Sequence, residues 1–240
     1  MTHTTMNESL PMLSEHSQTT PADLAAYVTG CLRTILARRG HAFLAVSGGK
    51  SPIPVFEALS QQTLNWPKVT ITLVDERVVP HDHADSNTAL VRQHLLKGEA
   101  AKARFVPYFD TTPAEITSRS LAALTIATNE RLASLPWPLD LALLGMGEDA
   151  HTASLFPDAP GLEEALTSTL PVACVEPTSA PHPRLSLTLA SIIAARELVL
   201  SISGERKRQV YEAASVHADP AKPVSLVLCQ SQTPISVWMD

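Results

Sequence analysis

Asp149 and His151 are the residues whose types and spacing point most directly to chemistry, because they follow two glycines in the segment 145–157. A histidine can act as a general base near neutral pH, and a nearby carboxylate can hold its ring in one tautomer. Residues two apart point to different sides of a helix but can share a side of a turning segment, which Gly147 favours. The alternative is that Asp149 caps a helix with His151 in its first turn, and the residues alone leave both interpretations open.

The same segment also fits the dinucleotide-binding fingerprint Gly-x-Gly-x-x-Ala, at residues 145–150. Glu148 and Asp149 would then place negative charge where a pyrophosphate lies. Pro157 and Pro160 would cut short the helix that the fingerprint requires, and no clear acidic residue ends a following strand at the usual distance. These features argue against a bound dinucleotide.

A second candidate motif is the glycine-rich turn at residues 47–52, between a predicted strand and a predicted helix. Backbone N–H groups beside glycine and a helix N-terminus both attract anions, so a phosphate is a candidate ligand. The alternative is a tight turn that needs glycine only for its dihedral angles. A nucleotide P-loop is excluded because its first glycine would fall at Leu44. The candidate phosphate-binding residues here are Ser47, Gly48, Gly49 and Lys50.

Basic residues lie at three further junctions between predicted elements, at Arg77, Arg184 and Lys207. The planar fork of Arg77 suits a phosphate, although Asp75 and Glu76 beside it could instead form a local ion-pair cluster with it. Taken singly, Arg184 and Lys207 are better explained as surface charges, and Arg77 as part of that ion-pair cluster. If the junctions share the carboxyl edge of one sheet, they form a basic pocket, and Asp75 is a further candidate substrate-binding residue there. Such a pocket suits a small phosphorylated substrate.

The polar loop before residue 87 holds two histidines and two aspartates, at His81, Asp82, His83 and Asp85. These residue types can bind a metal ion, but no matching ligand cluster lies nearby in the sequence. Solvated loop residues therefore explain them better, and we expect no metal site. Ser86 or Asn87 would cap the helix that follows.

Composition and charge restrict the partners and the location of the protein. The net charge of -6 argues against nucleic acid or an anionic membrane as the main partner. No apolar run is long enough to span a membrane, and the polar N-terminus lacks the features of a secretory signal. The three cysteines are far apart, which favours buried free thiols in a reducing cytoplasm. They are Cys31, Cys174 and Cys229.

Apolar runs alternate with amphipathic segments along the chain, which predicts a mostly parallel sheet with helices on both faces. The expected fold class is therefore a three-layer α/β/α, doubly wound architecture. We expect residues 1–20 to form a flexible tail and residues 21–240 a single domain. Helices are predicted at 21–39, 87–96, 115–135 and 205–214, and strands at 42–46, 69–74, 139–144, 172–175, 197–203, 224–228 and 235–238.

The motifs together resemble the 6-phosphogluconolactonase family, over nearly the whole chain from about residue 20 to the end. Several separated motifs in the right order are far more specific than any one of them. The residues that carry the resemblance are 47–52, 75–80, 85–87 and 145–157, continued by Arg184 with Thr188 and by 204–207.

The resemblance implies hydrolysis of 6-phospho-D-glucono-1,5-lactone in the oxidative pentose phosphate pathway, without a metal or organic cofactor. It implies that His151 activates water and that Asp149 orients His151 or contacts the sugar. The partner would be a small phosphorylated sugar lactone, and the protein a monomer or small homo-oligomer. The residues expected to hold the phosphate and the developing oxyanion are Ser47, Gly48, Gly49, Arg77, Arg184 and Lys207.

Two positions distinguish this chain within the wider superfamily. Phe156 stands where the related glucosamine-6-phosphate deaminases/isomerases carry a glutamate, which favours a lactonase over a ring-opening isomerase. Ala150 stands where the family usually has glycine, and would be strained if that position needs a positive φ angle. A sugar-phosphate sensor would need a DNA-binding element, for which the sequence has no basic segment. A dinucleotide-dependent oxidoreductase is the remaining alternative.

Overall fold

A computed structural model describes residues 12–240. Its strands are β1 (Leu13–His16), β2 (Ala42–Val46), β3 (Val69–Leu73), β4 (Asp75–Arg77), β5 (Arg104–Phe105), β6 (Leu141–Gly145), β7 (Val172–Val175), β8 (Arg184–Leu187), β9 (Leu198–Ile202) and β10 (Ile235–Met239). Its α-helices are α1 (Pro21–Arg39), α2 (Ile53–Ser60), α3 (Asn87–His94), α4 (Ser118–Ala133), α5 (Leu162–Thr167), α6 (Leu189–Ile193), α7 (Glu205–Ala214) and α8 (Pro223–Leu228).

The main sheet has seven strands in the order β1-β10-β9-β6-β2-β3-β5, and every neighbouring pair is parallel. All residues of β2 are buried, as expected for a strand covered on both faces. The predicted three-layer α/β/α fold is confirmed. From the central pair β2 and β6, the chain order runs outwards in opposite directions. This reversal creates a crevice at the carboxyl ends of these strands.

The predicted second strand is interrupted at Val74, where the backbone changes partners. Val74 N–H donates to Val46 O in the main sheet, whereas Val74 O accepts from Leu187 N–H in β8. Residues Asp75–Arg77 therefore form a separate strand, β4, in a three-stranded antiparallel sheet of order β4-β8-β7. The change of sheet carries the acidic and basic residues of β4 over the end of the main sheet.

Local capping explains where several predicted helices begin and end. Thr20 and Asp23 form a capping box at the start of α1, and Gly40 ends this helix with φ +76°. The Ser86 hydroxyl accepts from Ala89 N–H and caps α3, as one of the two predicted caps. No helix within residues 12–240 is both long and apolar enough to cross a membrane.

Three sequence predictions are wrong in detail. Residues 224–228 are helical within α8 rather than a strand, because Pro223 starts a helix and a short apolar run fits either state. The predicted tail includes β1, which pairs with β10 at the sheet edge; residues 1–11 lie outside the described residues. The cysteines are not fully buried: Cys31 and Cys174 are half-buried and Cys229 is exposed.

Candidate active site

A cavity of about 220 Å³ lies at the carboxyl ends of β2, β6 and β9. Parallel strands present their following loops at this edge, so motifs far apart in sequence meet there. The cavity is lined by all the predicted site residues except Asp149, which is exposed and contacts His151. The predicted residues in the lining are Ser47, Gly48, Gly49, Lys50, Asp75, Arg77, His151, Arg184 and Lys207.

The segment after β6 holds Asp149 and His151 in direct contact. The described chain between β6 and α5 forms turns and isolated bridges rather than a helix, so the capping alternative for Asp149 is wrong. His151 Nδ1 lies 2.6 Å from Asp149 Oδ1. A Cβ atom at Gly147 would lie 2.3 Å from each of these two atoms. Glycine at this position therefore permits the contact.

The hydrogen bond between these side chains defines which nitrogen of the ring is free. With Nδ1–H donating to the carboxylate, Nε2 of His151 is the nitrogen left for chemistry. Burial raises the pKa of Asp149, but the hydrogen bonds and charge of His151 outweigh it, and the pKa lies below its ordinary value. Asp149 is therefore ionised near neutral pH, as a carboxylate that orients an imidazole must be.

Phe156 connects His151 to one of the arginines. Its ring stacks on the imidazole with centroids 4.0 Å apart and planes at 23°. On the same ring, the guanidinium carbon of Arg184 lies 4.8 Å from the centroid. Such ring and cation contacts are each worth about 0.5–1.5 kcal/mol. Phe156 therefore restricts the orientation of both groups.

Arg77 and Arg184 lie opposite each other in the β4–β8 pair. Arg77 Nη1 donates to Asp85 O at 2.6 Å, so the predicted alternative of an ion pair with Asp75 or Glu76 is not found among the described residues. Arg77 Nε and Arg184 Nε and Nη1 are buried without a hydrogen-bond partner in residues 12–240. Burial and the charge of Arg77 lower the pKa of Arg184. Two facing cations with unused donors are suited to binding an anion.

The carboxylates of β4 are used inside the protein. Asp75 lines the cavity, but its carboxylate accepts from Ser154 Oγ at 2.6 Å and from Asn87 Nδ2 at 3.3 Å. Glu76 is fully buried and accepts the backbone N–H groups of Arg77, Asn87 and Thr88. Burial raises the pKa of Glu76 although these hydrogen bonds oppose it. This network attaches the start of α3 to β4.

Steric constraints explain why both residues of the turn after β2, Gly48 and Gly49, are glycine. Gly49 has φ +85°, and a Cβ atom at Gly48 would lie 1.8 Å from Asn87 Oδ1. The geometric explanation of this turn is thus correct, and the turn also forms one wall of the cavity. Lys50 is exposed at the same wall. The opposite side is formed near the start of α7, where Lys207 lies.

Among the further lining residues, Asn87, Ser154 and Phe156 contact predicted site residues but were not themselves predicted as site residues. In the sequence, Asn87 is a candidate helix cap and Phe156 the replacement for a glutamate, and both lie in segments that carry the resemblance. Ser154 lies in the segment 145–157 that carries the resemblance, but its contact with Asp75 has no local signal because it spans 79 positions.

Ala150 has φ +66° and is buried. This position therefore requires the left-handed backbone that glycine adopts freely, and the strain expected for alanine is present. Its carbonyl accepts from Val224 N–H at 2.9 Å, which holds the turn against α8.

The fold and the cavity agree with a sequence comparison that identifies the family. Residues 15–237 match the family described as glucosamine-6-phosphate isomerases/6-phosphogluconolactonase, and the chain belongs to this family. Its relatives include the 6-phosphogluconolactonase of Pseudomonas aeruginosa, 45% identical over 208 residues, or 85% of each chain. The same name applies to a relative from Mesorhizobium japonicum, 45% identical over 90% of this chain and 88% of the other.

Solved structures place the chain in the same group. The crystal structure of a 6-phosphogluconolactonase from Shewanella baltica superposes with a TM-score of 0.86 at 36% identity, over 95% of this chain and 97% of that one. By these similarities the chain is a hydrolase of the lactonase type, which acts on a lactone ester.

Proposed function

We propose that this protein hydrolyses 6-phospho-D-glucono-1,5-lactone to 6-phospho-D-gluconate, with His151 as the base that activates water. The names of the relatives support the substrate. The observation that carries the mechanism is the contact between His151 and Asp149 at the wall of a cavity that also holds Arg77, Arg184 and Lys207.

The reaction needs one base and one proton return. His151 Nε2 takes a proton from water as the water oxygen attacks C1 of the lactone. The C1–ring oxygen bond then breaks, and the imidazolium returns the proton to that oxygen. Asp149 stabilises the imidazolium while it exists, since its carboxylate is ionised and hydrogen-bonded to Nδ1. A lactone is an activated ester, so this acid–base sequence is sufficient without a metal ion or an organic cofactor.

The cationic groups of the cavity have two tasks. The phosphate needs several donors at a fixed place, and the oxyanion that develops at C1 needs donors near His151. We assign Arg184 to the phosphate together with Arg77, because their buried unpaired nitrogens would gain acceptors from it. Ser47, Gly48, Gly49, Lys50 and Lys207 complete the donors of the cavity. Asp75 acts by holding Asn87 and Ser154 rather than by binding the phosphate.

A coupled assay tests the function. A dehydrogenase generates the lactone, and its disappearance is followed with and without the protein. His151→Ala should lose about 10²–10⁴-fold in rate after correction for spontaneous lactone opening. His217→Ala is the control, because His217 is exposed and outside the cavity. Near-normal hydrolysis by His151→Ala would reject the mechanism, and absence of any acceleration by the unmodified protein would reject the substrate.

The ring-opening deaminase is a second activity of the same family, and Phe156 argues against it. Release of ammonia from glucosamine 6-phosphate is the discriminating measurement. We expect none above background, because a phenylalanine cannot assist the histidine as a carboxylate does.

A further inference from the structure

Two histidines and an aspartate meet beside the cavity, although they come from loops far apart in the chain. His83 and Asp85 precede α3, and His182 precedes β8. Each offers a ligand atom, and these atoms lie within 4.8 Å of one another. Asp85 Oδ2 lies 3.0 Å from His182 Nε2 and 3.8 Å from His83 Nδ1. The sequence could not reveal this cluster, because 97 positions separate Asp85 from His182.

The spacing of the three groups suits a single small cation. Ligand atoms about 2.0–2.2 Å from a tetrahedral zinc ion lie about 3.3–3.5 Å from one another. The observed separations reach this arrangement by small rotations of side chains that are 30–49% exposed. His83 Nδ1 accepts a hydrogen bond from Asp85 N–H, so its lone pair is available. A bound cation would take the place of this hydrogen bond.

The backbone at His182 gives independent support. His182 has φ +70°, which is uncommon for a residue other than glycine. Strained backbone of this kind persists where the surrounding structure holds it, and it is often found at ligand sites. Here the strained residue is the one that brings its ring to Asp85.

We propose that His83, Asp85 and His182 bind a first-row divalent cation of the Zn²⁺ type. Two imidazoles and one carboxylate suit zinc and its neighbours, whereas Mg²⁺ and Ca²⁺ prefer oxygen ligands alone. None of the three side chains lines the cavity, so the site is distinct from the catalytic pair. The sequence predicts no metal site because the third ligand, His182, lies 97 positions from Asp85 along the chain.

The position of the ion indicates what it does. Asp85 O accepts from Arg77 Nη1, and His182 is two residues before Arg184. An ion bound by Asp85 and His182 links the loops beside both arginines of the cavity. The cation therefore stabilises the arginine end of the cavity and takes no part in proton transfer.

Calorimetric titration of Zn²⁺ into the metal-free full chain tests the proposal. The titration uses a His151→Ala background, so that the catalytic imidazole cannot contribute a site and the result does not depend on activity. We expect one ion per chain. In this background, Asp85→Asn and His182→Asn should each weaken the affinity at least about tenfold, since even outer groups of metal sites are worth about 10–100-fold. Mg²⁺ should not compete.

The choice of variants separates loss of a ligand from loss of structure. Asparagine tolerates a left-handed backbone, so His182→Asn removes the imidazole without adding strain. His217→Asn, at an exposed histidine outside the cluster, is the matched control. Zn²⁺ should raise the melting temperature of the His151→Ala parent and of the control, but not that of His182→Asn. Equal zinc affinity in the parent and in both ligand variants, or no binding to the parent, would overturn the proposal.

Discussion

The imidazole of His151 stacks on the ring of Phe156 with 4.0 Å between centroids. Arg184 lies over the same phenyl ring, so one aromatic side chain touches both the proposed base and a proposed phosphate ligand. The ring is 6% exposed and therefore held by packing. Its replacement should disturb the two groups together.

Phe156→Leu should lower kcat and raise KM for the lactone. Loss of stacking worth about 0.5–1.5 kcal/mol corresponds to about a 2- to 12-fold reduction in kcat/KM when it acts on the transition state. Steady-state kinetics with the coupled assay measures the effect. Phe109→Leu is the matched control, because Phe109 is buried and stacks on His81 outside the cavity. Equal kinetic losses in the two variants would contradict a positioning role for Phe156.

Asp149→Asn should reduce kcat by at least about 10-fold and by up to about 10⁴-fold. The amide can present an N–H group to Nδ1, which favours the ring tautomer with its proton on Nε2, and it cannot stabilise the imidazolium. Glu148→Gln removes a neighbouring exposed carboxylate that lies 3.6 Å from Arg206 Nη1. We expect this second variant to keep normal kcat. Normal turnover in Asp149→Asn would show that His151 does not need the carboxylate.

Arg184→Met should weaken recognition of the phosphate. A charge-assisted hydrogen bond is worth about 1.5–3 kcal/mol, so kcat/KM for the phosphorylated lactone should fall about 10- to 100-fold. Activity on unphosphorylated glucono-1,5-lactone should change much less. Lys207→Met is a second test of phosphate recognition. Lys207 is less buried than Arg184, so its replacement should not disturb the core. Arg208→Met is the control, because Arg208 donates to Asp240 O outside the cavity. Equal losses on both substrates would assign Arg184 to the oxyanion instead.

Ala150→Gly should stabilise the protein although most buried alanine-to-glycine changes destabilise. The left-handed backbone destabilises the folded protein by about 1–2 kcal/mol when the residue is alanine. Glycine removes this strain, but it also stabilises the unfolded chain by about 0.4–1 kcal/mol through its greater conformational entropy. The net gain in the free energy of unfolding is about 0.5–1 kcal/mol, measured by denaturant titration. Ala159→Gly, at a buried alanine without a positive φ, should lose about 0.5–1 kcal/mol. Similar losses at both positions would show that Ala150 is not strained.

Much of the fold follows from local patterns in the sequence. The apolar run of β2 and the capping residues of α1 are local signals, and both elements are where the pattern predicts them. The pattern at 224–228 wrongly predicts a strand because its five residues fit a helix as well. Pro223 and the packing of α8 against α6 and α7 favour the helix. The edge strand β1 has no apolar pattern that would predict it. It forms by pairing with β10, which is far away in the sequence.

Local sequence specifies the chemistry available to this protein: a carboxylate two residues from a histidine, glycines where the chain must turn, and basic residues at the ends of strands. The partners of these residues depend on the folded arrangement of the strands and turns. The change of sheet at Val74 sets Arg77 opposite Arg184, and the turn at Gly147 allows Asp149 to reach His151. Contacts across long separations depend on strand register and side-chain packing, which local patterns do not encode.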